Sequence, residues 1–181
     1  MTSQAETRET RIASRIIYEG KIVHLRVDQV RLPNGREAFR EVVEHAPAVA
    51  VVALDRNQNV LLVRQYRYPV QKEVLEIPAG LVEAGEEPLA AAQRELAEET
   101  GRRARRWQPL FSIYSSPGFT DEQLHLFLAQ DLEPAGGQHL DEDELIRVVK
   151  VPLAQIPEMI RRGEICDAKS VAGLLGVRLS V

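Results

Sequence analysis

Apolar residues fall into extended runs and helix-spaced stripes along the chain. Between residues 16 and 45, Ile22, Leu25, Val27 and Val30 are spaced through a polar background. The segment Arg31-Leu32-Pro33-Asn34-Gly35-Arg36 then supplies an Asn-Gly turn, which predicts a hairpin of strands over residues 22–32 and 36–45. Ala48–Leu54 is uninterrupted apolar sequence rich in β-branched residues, and a second run at 60–65 follows the polar stretch 55–59, so two central strands joined by a turn are expected. A shorter extended piece at 73–77 leads into Pro78-Ala79-Gly80, where a strand should break into a loop. From Pro88 to Thr100 the residues become Ala, Leu, Glu, Gln and Arg, with Pro88 in the permitted first turn and Gly101 at the stop, the pattern of a helix. Strand-like segments return at 108–114, 124–129 and 146–151, and helical ones close the sequence at 156–162 and 168–179. The order predicts an α/β fold, a mixed sheet flanked by helices on both sides and preceded by an antiparallel β extension.

Length and composition narrow the class. With 181 residues, 44% hydrophobic and 28% charged, the chain suits one compact domain with a small extension, here divided into 1–45 and 46–181. Lys+Arg number 23 and Asp+Glu 27, a formal charge of −4 without the basic excess of nonspecific nucleic-acid binders. An anionic substrate must then be captured locally, by metal or arginine. The longest nearly continuous apolar run, 46–54, is about half of the ~20 residues a membrane-crossing helix needs. Residues 1–15 mix Glu, Arg, Thr and Ser with no hydrophobic stretch, so a frayed tail, no secretory signal and a cytoplasmic location are expected. Cys166 is the only cysteine, which excludes an internal disulfide, and a buried structural thiol is expected.

On a helical wheel, Leu89, Ala92, Leu96 and Thr100 form the stripe expected to face the core. Glu95, Glu98 and Glu99 share an arc beside it, and glutamates at i, i+3 and i+4 repel by about 0.2–0.5 kcal/mol per pair. Arg94, four residues before Glu98, relieves part of this. A divalent cation explains the rest, because Mg²⁺ and Mn²⁺ take hard oxygen ligands and keep waters that phosphate can replace. Gly80 and Gly85 fit a tight loop that feeds the helix and needs backbone freedom. Written out, the segment is Gly80, five residues, Glu86, seven residues, then Arg94-Glu95-Leu96-Ala97-Glu98-Glu99-Thr100-Gly101. It resembles the Nudix box, the loop-helix-loop of hydrolases that bind divalent metal and cleave diphosphates linked to another moiety. Seven fixed letters at ~6% background would coincide on the order of once in 10⁹ start positions. Arg102 stands where the family usually has an aliphatic residue.

The resemblance implies an α/β/α sandwich of Nudix type and two or more Mg²⁺ or Mn²⁺ ions per site. By position, Glu95 and Glu99 become principal metal ligands, Glu98 an additional or water-mediated one, and the Ala79 carbonyl a backbone ligand. Arg94 orients carboxylates, and Glu86 supports the loop or a second ion. Ser115-Ser116-Pro117-Gly118-Phe119-Thr120-Asp121-Glu122 lies fifteen positions past Arg102 at its proline and resembles the ADP-ribose pyrophosphatase branch. The segments Pro47-Ala48-Val49-Ala50-Val51 and Arg64-Gln65-Tyr66-Arg67-Tyr68-Pro69 resemble it too. Arg67, and less decisively Arg64, would bring guanidinium donors to phosphate or ribose, although a surface ion pair serves Arg64 equally well. Glu41 and Ile22 match positions that contact adenine in that branch, and Gly118 would let backbone approach the ligand. From the acidic stretch 139–144, Glu142, with Glu144 in reserve, corresponds to a glutamate that helps activate water.

The expected reaction is therefore hydrolysis of ADP-ribose to AMP and ribose 5-phosphate. Alternatives are a pyrophosphatase for other nucleoside diphosphate sugars or dinucleotides, and a non-enzymatic ADP-ribose sensor. Retention of every box carboxylate opposes the sensor. Relatives with this N-terminal extension form dimers by exchanging strands, so a homodimer is expected. Arg102, Arg103, Arg105 and Arg106 lack interleaved aromatics, and no nucleic-acid partner is expected. Trp107 reads as a packing residue.

Overall fold

A computed structural model describes residues 7–140 and 145–177. The chain divides into two units, residues 1–46 with 114–122, and residues 47–113 with 123–181.

The first unit is built on a three-stranded antiparallel sheet, β1 (Thr10–Glu19), β2 (His24–Arg31) and β3 (Glu37–Glu44), in that spatial order. The β2–β3 hairpin forms where the Asn-Gly turn predicts it. Gly35 takes φ +81, its N–H reaches Leu32 O at 2.9 Å, and Asn34 Oδ1 accepts the Arg36 N–H at 3.1 Å. Strand β1 is a correction, because residues from Thr10 onward are ladder-paired with β2, from Thr10↔Arg31 to Glu19↔His24, where a frayed tail was expected. All ten of its residues are exposed, so it carries no buried/solvated alternation for a sequence reading to find. The 114–122 segment is clipped to β3: the Val43 N–H donates to Phe119 O at 2.8 Å, and Asp121 Oδ1 accepts the His45 N–H at 2.9 Å.

In the second unit, β4 (Ala48–Leu54), β5 (Asn59–Arg67), β6 (Lys72–Glu76), β7 (Ala79–Leu81), β8 (Arg102–Tyr114), β9 (Gln123–Pro134) and β10 (Arg147–Pro152) form one sheet. Its main path runs β10-β5-β4-β9-β8, with β6 on β5 and β7 on β4. Strand β4 is parallel to β9 and antiparallel to β5 and β7, so the sheet is mixed. Every residue of β4 is buried, as expected of a strand covered on both faces. Val49, Val51 and Leu61 pack with Ala91, Ala92 and Leu96 of α1 (Pro88–Thr100). Ala50, Val52 and Leu62 pack on the other face with Ile156 of α2 (Ile156–Arg161) and Leu174 of α3 (Ala168–Gly176). This is the α/β/α sandwich. Burial of a side chain such as Leu96 contributes about 1.5–3 kcal/mol.

Four local expectations are corrected. Leu89, in the first turn of α1, is exposed, and the core stripe consists of Ala91, Ala92, Leu96 and Thr100. Ala79–Leu81, expected as loop, pairs with β4 at Ala50, Val49 and Ala48. Strand β8, expected from 108, begins at Arg102, so the arginine cluster opens it, where Glu133 pairs with Arg105, and Asp131 with Arg106 at 3.8 Å. Cys166 is exposed instead of buried, with its Sγ 3.6 Å from Lys72 Nζ. Trp107 packs edge-on to Phe127, ring centroids 6.4 Å apart. No helix among the described residues is long and apolar enough to cross a membrane.

Candidate active site

Helix α1 carries the carboxylates and ends cleanly. Gly101 adopts φ +63 and its N–H closes on Ala97 O at 2.8 Å, the left-handed stop a glycine supplies. Within the helix, Arg94 gathers three carboxylates around one guanidinium. Its Nε and Nη2 donate to Glu86 at 3.1 and 3.0 Å, and its Nη1 donates to Glu95 at 2.6 Å and Glu98 at 3.1 Å. Nη2 also donates to Leu81 O at 2.9 Å, tying the preceding loop to the helix. Arg94 is held firmly protonated, above all by its bonds to Glu86. The same bonds, helped by the Glu83 N–H, hold the Glu86 carboxyl below the usual carboxylate range. Arg94 therefore relieves repulsion across Glu86, Glu95 and Glu98, more widely than its spacing to Glu98 indicates.

Glu99 is almost wholly buried and its Oε2 accepts the Ala79 N–H at 3.1 Å, which fixes the end of α1 to β7. Gly80 follows. A Cβ there would lie 2.0 Å from Glu95 Cδ and Oε1, so this glycine makes room for a carboxylate. Its backbone is ordinary, whereas Gly85 does take φ +81, so only one of the two loop glycines is used for conformational freedom.

Among the described residues no group of three or more acidic, His or Cys side chains is already gathered as a cation cage. The donor set nevertheless fits a hard divalent cation. Glu95, Glu98 and Glu99 supply carboxylate oxygens from one helix, β7 supplies backbone beside them, and the missing Cβ at Gly80 leaves room for the Glu95 carboxylate.

The arginines of β5 differ. Arg67 makes a bidentate pair with Glu76, Nε to Oε1 at 2.9 Å and Nη2 to Oε2 at 2.8 Å. Lys169 of α3 also donates to Glu76 Oε2, and to Asp167 Oδ1 at 2.9 Å. Burial pushes the Glu76 carboxyl up, but the Arg67 hydrogen bonds and the Lys169 charge outweigh it and hold the group at about 2. Arg64 lies opposite Arg147 in the β5–β10 register, and Glu73 sits between them, 3.9 Å from Arg64 and 2.9 Å from Arg147. It thus takes the surface ion pair.

Of the remaining candidates, Ile22, Glu41 and Gly118 belong to the first unit. Ile22 is exposed between β1 and β2, Glu41 is exposed on β3 opposite Val27, and an added Cβ on Gly118 would meet nothing within 4 Å. Glu142 and Glu144 lie outside the described residues. Sequence reading missed Glu76 and Lys169. The available signal was a single acidic residue inside the otherwise apolar Val74-Leu75-Glu76-Ile77, a placement that requires a buried partner.

The sequence profile of the nucleoside diphosphate sugar hydrolase N-terminal domain matches residues 9–43, and that of the NUDIX domain matches residues 44–173. The chain is 41% identical over 172 residues to ADP-ribose pyrophosphatase of Bacillus subtilis (strain 168), covering 94% of this chain and 93% of that protein. It is 41% identical over 174 residues to methanol dehydrogenase activator of Bacillus methanolicus, with the same coverages of 94% and 93%. In three dimensions it is similar to the crystal structure of ADP compounds hydrolase, with a TM-score of 0.88 at 24% identity over 98% of this chain and 96% of that one. With the box carboxylates arranged on one helix, the NUDIX profile spanning most of the sequence and the same fold in a solved hydrolase, the chain belongs to the Nudix family.

Proposed function

We propose that this Nudix hydrolase cleaves the diphosphate of ADP-ribose, giving AMP and ribose 5-phosphate, with Mg²⁺ or Mn²⁺ bound at two or more positions. The observation that carries the chemistry is the pairing of Gly80 with the Glu95 carboxylate beside the Ala79–Glu99 hydrogen bond, a place kept for oxygen ligands by backbone geometry. The substrate rests on the Bacillus subtilis relative, named ADP-ribose pyrophosphatase, which matches along nearly the whole chain.

Nudix enzymes generally use divalent metal, which in this site would neutralise the diphosphate and acidify a water. Glu95 and Glu99 would hold it as principal ligands, with Glu98 and the Ala79 carbonyl completing the protein's share. Arg94 orients Glu86, Glu95 and Glu98, so the carboxylates need not be reorganised when substrate arrives. Arg67 offers donors to the diphosphate or the ribose, with Arg64 in a lesser role. Glu142, or Glu144, receives the proton of the attacking water. The water oxygen joins one phosphorus, the bridging oxygen leaves with the other, and the two products separate. Ile22, Glu41 and Gly118 serve the nucleoside. The exposed apolar residues of β1 and its turn support a strand-exchanged homodimer, and the lone cysteine accords with a cytoplasmic setting.

Product analysis tests this directly. ADP-ribose, ADP-glucose, GDP-mannose, NADH and diadenosine polyphosphates are each supplied with Mg²⁺ or Mn²⁺. AMP and ribose 5-phosphate in equal amounts from ADP-ribose is the expected result, and Glu99→Gln should lower kcat about 100-fold or more without lowering the melting temperature. Faster turnover of another substrate would reassign the specificity. Tight ADP-ribose binding without any product would favour a sensor.

A further inference from the structure

The Arg67–Glu76 pair does not stand alone. Glu76 is 2% exposed, and its Oε2 is shared between Arg67 Nη2 and the ammonium of Lys169, which comes from α3, far along the chain from the Nudix box. Lys169 is in turn held by Asp167, whose Oδ1 also caps α3 by accepting the Ser170 N–H at 3.1 Å. Ser170 Oγ, fully buried, accepts the Ile77 N–H at 2.8 Å, one residue beyond Glu76. The first turn of α3 thus grips the last residue of β6 and the residue that follows it.

From this geometry we infer that Lys169 is a positioning residue for substrate binding, acting through Glu76 to set the direction of the Arg67 guanidinium. The inference rests on the proposed role of Arg67. With Nε and Nη2 committed to Glu76, the fork is locked in its plane, while Arg67 Nη1 makes no hydrogen bond to a described residue. That nitrogen is the one available to an anion. Lys169 takes a share of Oε2, so the carboxylate that grips the Arg67 fork is itself fixed from α3, and Asp167 balances the Lys169 charge. Lys169 touches no reacting atom, and its effect belongs in KM.

A double-mutant cycle on the full-length enzyme tests the assignment, using Lys169→Met, Arg67→Ala and the double variant. Steady-state ADP-ribose hydrolysis is read alongside calorimetric binding of the unhydrolysable α,β-methylene analogue. Lys169→Met should raise KM and the analogue Kd by about 5–10-fold with kcat within about 2-fold, and Lys169→Arg should restore most of the loss. In the Arg67→Ala background Lys169→Met should add nothing. Should the Met variant unfold, Lys169→Gln gives the same comparison. Equal losses in both backgrounds, or a fall in kcat at constant KM, would overturn the inference and leave the hydrolase reading standing. An Arg67→Ala enzyme with unchanged KM would overturn it by removing its basis, and a wild-type protein inert toward ADP-ribose would instead sink the substrate assignment.

Discussion

At the scale of single residues, the buried carboxylate of Glu76 makes a pH prediction. Its folded-state value of about 2 lies below the ordinary 4.5, so the ionised form is the one that folding favours. The stabilisation is fully present above pH 4.5 and is lost as the pH falls toward about 2. The shift sets a ceiling on the order of 3 kcal/mol. Glu76→Gln should therefore be less stable than wild type by up to about 3 kcal/mol at pH 7, with the gap closing between pH 4.5 and 2. Urea midpoints measured across that range check this, and a constant offset at every pH would count against it. The contrast with the Nudix box shows what a sequence can disclose about residues. Glu95, Glu98, Glu99 and Arg94 are legible because their relation is helical spacing, written locally. Lys169 and Glu76 meet across 93 residues, and nothing local to either names the other. Cys166 failed for a related reason, since a thiol's burial depends on where a connecting segment runs.

At the scale of elements, glycines show where backbone and site constrain each other. Gly80 pairs with Val49 in the sheet at ordinary φ, so alanine is compatible with the strand and incompatible only with the Glu95 carboxylate. Gly80→Ala should weaken Mn²⁺ binding by about 10-fold or more, measured by calorimetry, while the far-ultraviolet dichroism keeps its native form. Gly101 poses the opposite problem. It adopts φ +63 at the exit of α1, and a Cβ would also come within 3.1 Å of Gly136 O. Around it, Ala135 N–H donates to Gly101 O at 2.9 Å, Gln138 Nε2 to Glu99 O at 2.5 Å and His139 N–H to Glu98 O at 3.0 Å. Gly101→Ala should cost about 1–2 kcal/mol, seen as a melting temperature lower by about 2–8 °C. Helix α1 was legible from its composition and its capping residues, and strands β4 and β5 from uninterrupted apolar runs that are buried in the sheet. Strand β1 buries no residue, β7 is only three residues long, and the opening of β8 is masked by arginines whose partners lie on β9.

At the scale of the whole molecule, the mixed sheet and its two helical layers follow from alternating apolar runs, and that architecture was readable. What the sequence leaves implicit is how much apolar side chain the three-stranded sheet keeps exposed. Strand β1 is exposed at all ten positions, and Ile12, Ile16, Ile17, Tyr18, Ile22, Val23 and Phe39 add an apolar character that a solvated three-stranded sheet has no use for. The homodimer proposed above would cover such a surface symmetrically, and pairing of two exposed strands would also satisfy their edge hydrogen bonds. Light scattering should then report about twice the 20.3 kDa chain mass. Ile16→Glu with Ile17→Glu places two charges in the exposed apolar stretch of β1, at the break in its register with β2. The double variant should shift to the single-chain mass while α1 and its carboxylates, held by the second unit's own core, keep their arrangement. If ADP-ribose turnover falls together with the mass, the partner contributes to the substrate site. If the mass is already that of one chain in the wild-type protein, the apolar sheet has another purpose and the dimer is excluded.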